Sequence, residues 1–242
     1  MRLLLFDVDG TLVLTGGAGL RGMTRAIERI FGVPNALERV PVAGRTDPAI
    51  LVDALHRAGI AVTDGQAARF PDVYLPMLAE EMRRPVPAEA HPSQHGLHKG
   101  PLPGVTHLVT ALEARRDVFL ALLTGNYSGG ARIKLDHFGL WRPFRCGAFG
   151  EDAALRHELV PIAIARARAL GCPDVSPDEV VVIGDTPLDV ECAARAGVRS
   201  LAVATGGYSA STLCAAGADH VVETLEHTEQ IVGWLTGTMD GE

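Results

Sequence analysis

Lysine is almost absent from this chain: of its 22 basic residues only Lys99 and Lys134 are lysines, and the rest are arginines. A chemistry that needs a lysine has two places to find one. Long apolar runs are missing too. Nothing approaches the ~18 residues that span a bilayer, and the longest runs, 118–123 and 180–183, have the length of strands. The opening Leu3-Leu4-Leu5-Phe6 meets Asp7 and is too short for the apolar part of a signal peptide. Cys146, Cys172, Cys192 and Cys214 form no C-x-x-C pair, and a chain of this size has core enough without disulfides. The expectation is a reducing, cytoplasmic compartment with no membrane partner. Positive charge is in deficit, with 29 acidic residues against 22 basic and a net charge of −7. That balance excludes nucleic acid as the default partner. It leaves room for a small phosphorylated ligand held by one cation and a metal. With 47% hydrophobic and 21% charged residues the composition is globular, which excludes a disordered tail or a collagenous repeat.

The 242 residues suit one core with a sizeable insertion. Strand-like apolar runs fall at 3–6, 118–123, 180–183, 200–204 and 220–222, with a weaker one at 145–149. Helical spacing occupies 105–115, 131–138, 158–170, 189–196 and 213–216 between them. Apolar strands alternating with helices predict an α/β, doubly wound (Rossmann-like) parallel sheet covered on both faces. One interval breaks the alternation. Residues 15–99 contain helix-like pieces at 20–31, 48–58 and 66–84 and no clear strand. Gly16-Gly17-Ala18-Gly19 stands at one end of it, and a Gly/Pro-rich run from His95 to Gly104 at the other. Both flanks read as hinges, giving a core of 1–14 and 100–242 with an inserted helical cap, 15–99. The tail after Trp234 reads as frayed.

Chemistry concentrates at strand ends. Asp7 and Asp9, followed by Gly10 and Thr11, arrive directly after the first strand, where the crevice of a parallel sheet lies. Two converging carboxylates repel unless a divalent cation or a shared proton relieves them. Thr124-Gly125-Asn126 ends a second strand and offers a hydroxyl and free backbone N–H groups to an anion such as phosphate. Asp185 ends a third strand, with Asp189 in the first turn of the next helix, where an acidic residue also suits the helix dipole. Asp7, Asp9 and Asp185 form a hard oxygen set suited to Mg²⁺.

In their order, Asp7-Val8-Asp9-Gly10-Thr11-Leu12, Leu122-Leu123-Thr124-Gly125-Asn126 and Gly184-Asp185-Thr186-Pro187-Leu188-Asp189 resemble the haloacid dehalogenase (HAD) superfamily of phosphohydrolases. Pro103-Gly104-Val105 and Gly44-Arg45-Thr46-Asp47 resemble its helical-cap branch, which includes phosphoglycolate phosphatases and beta-phosphoglucomutase. The resemblance implies Asp7 as a nucleophile that forms an aspartyl-phosphate, and Asp9 as the acid that protonates the leaving alcohol and then activates water. It implies Mg²⁺ on the Asp7 and Asp185 carboxylates and the Asp9 carbonyl, with Thr124, Gly125 and Asn126 on the phosphoryl oxygens. Asp189 would support the metal site or orient a basic residue. The family's lysine between the second and third motifs has no obvious counterpart. Arg156 stands where that lysine would precede its helix, and Lys134, in the helix just after the second motif, is the alternative.

The resemblance implies a Mg²⁺-dependent phosphatase for a small phosphate monoester such as phosphoglycolate, a sugar phosphate or a nucleotide. A phosphomutase shares the core, but the histidine expected in its first cap helix is missing from 20–31. Dehalogenases lack the carboxylate that Asp9 supplies. Phosphonoacetaldehyde cleavage needs a Schiff-base lysine in the cap, and 14–98 has none. A binding protein on a silent core would be expected to carry damaged motifs, and Asp7, Asp9, Thr124, Asp185 and Asp189 are all in place. His91, His95 and His98 are interrupted by Pro92, Ser93 and Gly96 and read as a solvated linker rather than a metal cluster. Gly44-Arg45-Thr46-Asp47 has two readings: Arg45 pairing an anionic substrate group such as a carboxylate, or Thr46 or Asp47 capping a helix before Pro48.

Overall fold

Leu3, Leu4, Leu5 and Phe6 have no solvent exposure at all, which requires a strand covered on both faces. In the computed structural model, which describes residues 1–86 and 98–238, this strand sits near the middle of a sheet. The chain runs β1 (Arg2–Phe6), β2 (Val13–Thr15), α1 (Ala18–Phe31), α2 (Asp47–Arg57), α3 (Asp64–Arg83), β3 (Lys99–Pro101) and α4 (Val105–Glu113). It continues with β4 (Val118–Leu123), α5 (Ser128–His137), β5 (Cys146–Ala148), α6 (Leu159–Ala169), β6 (Val180–Gly184) and α7 (Pro187–Ala196). It closes with β7 (Arg199–Val203), α8 (Ala210–Ala215), β8 (His220–Val222) and α9 (Thr228–Thr236). The main sheet has the order β5-β4-β1-β6-β7-β8 and every pairing in it is parallel. The expected doubly wound α/β core is present.

Period-two alternation divides the core in two. Leu4 and Phe6 of β1, Leu120 and Leu122 of β4, and Val181 and Ile183 of β6 face α4, α5 and α9. Leu3, Leu5, Phe119, Ala121, Val180 and Val182 face α6 and α7 instead. The in-register pairs Leu4↔Leu120 and Leu4↔Val181 keep each apolar set on its own side. All these strands run the same way, so Asp7, Thr124 and Asp185 emerge together at one edge.

The insertion is helical and has a core of its own. Phe70, Tyr74, Leu78 and Met82 recur every four residues along α3 and are buried against Met23 and Ile27 of α1 and Leu51 and Leu55 of α2. That stripe carries α3 through Pro71 and Pro76, which cost backbone hydrogen bonds. Gly22 allows α1 to close on α3, since a Cβ there would press against the Leu78 backbone. The buried Glu81 carboxylate binds Arg21, Arg25 and Arg84 at 2.7–2.8 Å. Tyr127, from the α/β core, completes the cluster and anchors the cap on α5.

Two expectations need correction. The interval 15–99 is not without strand at its ends: β2 and β3 pair antiparallel, Val13↔Pro101 to Thr15↔Lys99, so the exit and return strands are tied to each other. The boundaries 14/15 and 99/100 fall inside this ribbon. A three-residue strand carries too little alternation to register as one. Lys99 fastens the ribbon to the end of α3, donating to the carbonyls of Met82 and Arg84. Of the tail after Trp234, residues 239–242 lie outside the described residues, and the part before them is not frayed. Helix α9 continues to Thr236, with Ile231 and Leu235 in the core beneath β1. Of the histidines at 91, 95 and 98, His91 and His95 lie outside the described residues, while His98 Nε2 lies 3.3 Å from the Pro101 carbonyl.

Because Leu235 has no exposed surface, Leu235→Ala is expected to cost about 2–5 kcal/mol. Urea denaturation measures this, and a frayed tail would give a change near zero.

Candidate active site

Asp7 leaves β1 at the sheet edge, its N–H bonded to the Ile183 carbonyl. Gly10 then turns the chain at φ +83°, a conformation that L side chains resist. The turn sends the Thr11 hydroxyl to Asp185 Oδ1 at 3.2 Å, and the Gly10 carbonyl accepts from Thr205 at 2.7 Å. Carboxylate oxygens of Asp7, Asp185 and Asp189 lie within 4.8 Å of one another, all buried. Gly206 sits against Asp185 so closely that a Cβ there would collide with Oδ2.

Both candidate cations reach the site, on different aspartates. Arg156 begins a 3-10 turn (Arg156–Glu158), and its Nη2 lies 3.0 Å from Asp7 Oδ1 and 2.5 Å from Asp189 Oδ1. Lys134, on α5 and only 4% exposed, donates to Asp9 Oδ2 at 2.5 Å and to Asn126 Oδ1 at 2.6 Å. Asp189 has little to spare for a metal. Its second oxygen accepts from the Thr186 N–H and hydroxyl in the box that caps α7. Its geometry is that of a residue orienting Arg156.

The charge is unbalanced. Burial pushes Asp7 up to about 6 despite the neighbouring Arg156, and the Asp189 and Asp9 charges add to the rise. Burial, then Asp189 and Asp7, also holds Asp185 well above the usual carboxylate range. Burial opposes the charge of Arg156, but Asp189 and Asp7 outweigh it and keep the guanidinium ionised. A divalent cation with a preference for oxygen fits this donor set: two buried carboxylates, Asp7 and Asp185, in a glycine-lined cradle with negative charge in excess.

At the end of β4, Asn126 links two parts of the site. Its amide donates to Asp9 Oδ2 and to the Thr124 hydroxyl oxygen, both at 2.8 Å. Thr124 Oγ1 accepts there, so its own proton is available to an anion in the cavity. Gly125 is where the cap meets the core: a Cβ there would collide with the Arg45 carbonyl, and the Gly125 carbonyl accepts the Asp47 N–H at 2.7 Å. On the other side Arg156 Nη1 donates to the Gly44 carbonyl at 2.9 Å.

Of the two readings of the segment 44–47, the bonds it makes follow the capping one, while Arg45 still lines the cavity. The Arg45 guanidinium is held by Asp53 Oδ2 and the Pro41 carbonyl, both at 2.9 Å, within the cap itself. Thr46 caps α2 by accepting from the Ala49 N–H. Asp47 is the residue that reaches the core: buried, it accepts the Tyr127 N–H at 2.9 Å. Burial pushes Asp47 up to about 6, against the pull of Lys134 and the Tyr127 bond. In sequence it looks like any acidic residue opening a helix, and only the tertiary contact sets it apart. Thr205 and Gly206 were signalled by one feature alone, a glycine pair at the end of a further strand.

These elements enclose a cavity of about 390 Å³, with Asp7, Asp9, Thr124, Lys134, Arg156 and Asp185 at its base. Residues 157–228 match the HAD-hydrolase-like family model. No curated protein sequence matches the chain. Among solved structures it resembles a hydrolase from Pseudomonas syringae (20% identity, TM-score 0.66, 97% of this chain and 99% of that one). It also resembles a predicted phosphoglycolate phosphatase from Haemophilus somnus (18%, 0.67, 96% and 98%). A third resemblance is to beta-phosphoglucomutase from Clostridium difficile (15%, 0.68, 99% and 99%). At these identities the likenesses establish the fold. The likeness to the HAD-hydrolase-like family model is confined to residues 157–228, and the fold is shared over nearly the whole chain.

Two outcomes follow from the geometry. Mg²⁺ is expected to raise the melting temperature of the wild type and of Gly207→Ala, whose Cβ would meet nothing within 4 Å. It should not raise that of Gly206→Ala, and equal shifts in all three would place the cation elsewhere. For Asp47, a folded pKa of about 6 against 3.8 unfolded favours the protonated folded state, so its stabilising effect fades as pH rises from about 4 to 6. Relative to Asp47→Asn, the wild type should lose up to about 3 kcal/mol between pH 4 and 7, read by denaturant titration.

Proposed function

We propose that the protein is a Mg²⁺-dependent phosphatase that hydrolyses small phosphate monoesters through a phosphorylated Asp7. The observation that carries this reading is the pairing of Asp7 with Arg156 at 3.0 Å on the cavity floor, with Asp9 two residues on. An Asp7 oxygen attacks phosphorus as the ester P–O bond breaks, and Asp9 gives its proton to the departing alkoxide. Water then attacks the phosphoryl group, Asp9 takes its proton, and phosphate leaves with Asp7 restored. Arg156 offsets the repulsion between the Asp7 carboxylate and the incoming phosphate dianion. In this reading Thr124 and the Gly125 N–H hold phosphoryl oxygens. The Asp7 and Asp185 carboxylates and the Asp9 carbonyl would hold Mg²⁺, which would supply neutralisation of the phosphoryl charge.

The cap helices α1, α2 and α3 act as the lid in this reading, excluding water while Asp7 attacks. No histidine lines the cavity among the described residues, which favours hydrolysis over the mutase alternative. Para-nitrophenyl phosphate tests the proposal. Turnover should require Mg²⁺, stop with chelator, and fall by more than ~10³-fold in Asp7→Asn. Activity that survives chelator or that substitution would overturn it.

A further inference from the structure

We infer that this site selects monoesters whose alcohol part is apolar and uncharged, and disfavours those with a second anionic group. The inference rests on the phosphatase reading and concerns the far wall of the same cavity. That wall is built by Leu14 of β2, Leu20 and Met23 of α1, Leu37 and Val42 of the loop before α2, and Ile50 of α2. Leu20 and Val42 are 47% and 39% exposed, large apolar side chains left uncovered on the cavity lining. Apolar surface kept open at a concave site is a ready contact for an apolar ligand.

Charge points the same way. A second carboxylate or phosphate on the substrate would need a cation with bonding capacity to spare. Among the described residues, each cation on the lining is already engaged: Arg45 with Asp53, Lys134 with Asp9, Arg156 with Asp7 and Asp189. The other polar side chains that the cap and ribbon contribute, Thr15, Asp47 and Tyr74, carry no positive charge, and Asp47 would repel an anion. A second anion buried here would be unpaired, which discriminates more sharply than a mismatched methylene. At about 390 Å³ the cavity is near the lower end of the ~300–1,000 Å³ common for small-molecule sites.

The test compares esters of primary alcohols, so that leaving-group reactivity is similar: benzyl phosphate, 2-phosphoglycolate and glucose 6-phosphate. With Mg²⁺, kcat/KM for benzyl phosphate should exceed the other two by about tenfold or more. Leu20→Arg, at an exposed position that tolerates the change, places a free cation on the wall. It should shift the ratio of phosphoglycolate to benzyl phosphate turnover by about tenfold toward phosphoglycolate. Calorimetric binding of benzylphosphonate and phosphonoacetate reads the wall without turnover, and benzylphosphonate should bind more tightly. Parity or preference for the charged or polyhydroxylated compounds, in turnover or binding, would overturn the inference. Absence of turnover on every ester, with the phosphonate order as expected, would overturn the phosphatase reading and leave the wall's selectivity standing.

Discussion

The structure is organised around a surplus of buried negative charge. Parallel strands deliver Asp7 and Asp185 to one edge of the sheet, and the first turn of α7 adds Asp189 a few ångströms away. Removing carboxylates from water raises the energy of their charged forms, and grouping them raises it further. Arg156 relieves two of them and is itself kept charged by them. Among the described residues Asp185 receives only the Thr11 hydroxyl, with Gly10 and Gly206 leaving space beside it. The fold therefore stores an electrostatic imbalance where a divalent cation would be best received. The two apolar layers on either side of the sheet supply the stability that holds these groups together.

The same imbalance couples the cap to the core. Arg156 is bonded at once to Asp7, to Asp189 and to the Gly44 carbonyl of the cap. Opposite it, Asp47 grips the Tyr127 N–H and donates its own N–H to Gly125. Cap and core thus meet through polar contacts at the rim of the cavity and, beneath α3, through an apolar contact in which Tyr127, Ile133 and Phe138 join the cap cluster.

The strands and the larger helices were legible because their periodicities are long and regular. Leu3 to Phe6 form an unbroken apolar run, and Phe70, Tyr74, Leu78 and Met82 repeat at four-residue spacing. The strand-end aspartates were legible because a parallel sheet gives its strand ends a common address. Other features depend on pairings between distant residues. Whether Arg45 faces a ligand or Asp53, and whether Asp47 caps its own helix or reaches Tyr127, is decided by tertiary contact. The β2–β3 ribbon is three pairs long, and α9 packs chiefly through Ile231 and Leu235, too few positions to give a clear helical stripe.

Arginine at position 156 gains its meaning from this arrangement. An ammonium is a compact point charge that would settle against the nearest carboxylate. A guanidinium is a planar fork with several donors and can serve three acceptors at fixed angles. At 156 those acceptors are Asp7 and Asp189 for Nη2 and the Gly44 carbonyl for Nη1. The charge beside Asp7 is therefore positioned partly by the cap, so displacing the segment around Gly44 would release one arm of the fork. Lys134, also on the cavity floor, is held by Asp9 and Asn126 of the core, and its ammonium lies against the cap as well, where a Cβ on Gly19 of α1 would stand 3.3 Å from Nζ. Both cations therefore sit where cap and core meet, Arg156 bonded to the Gly44 carbonyl and Lys134 packed beneath α1.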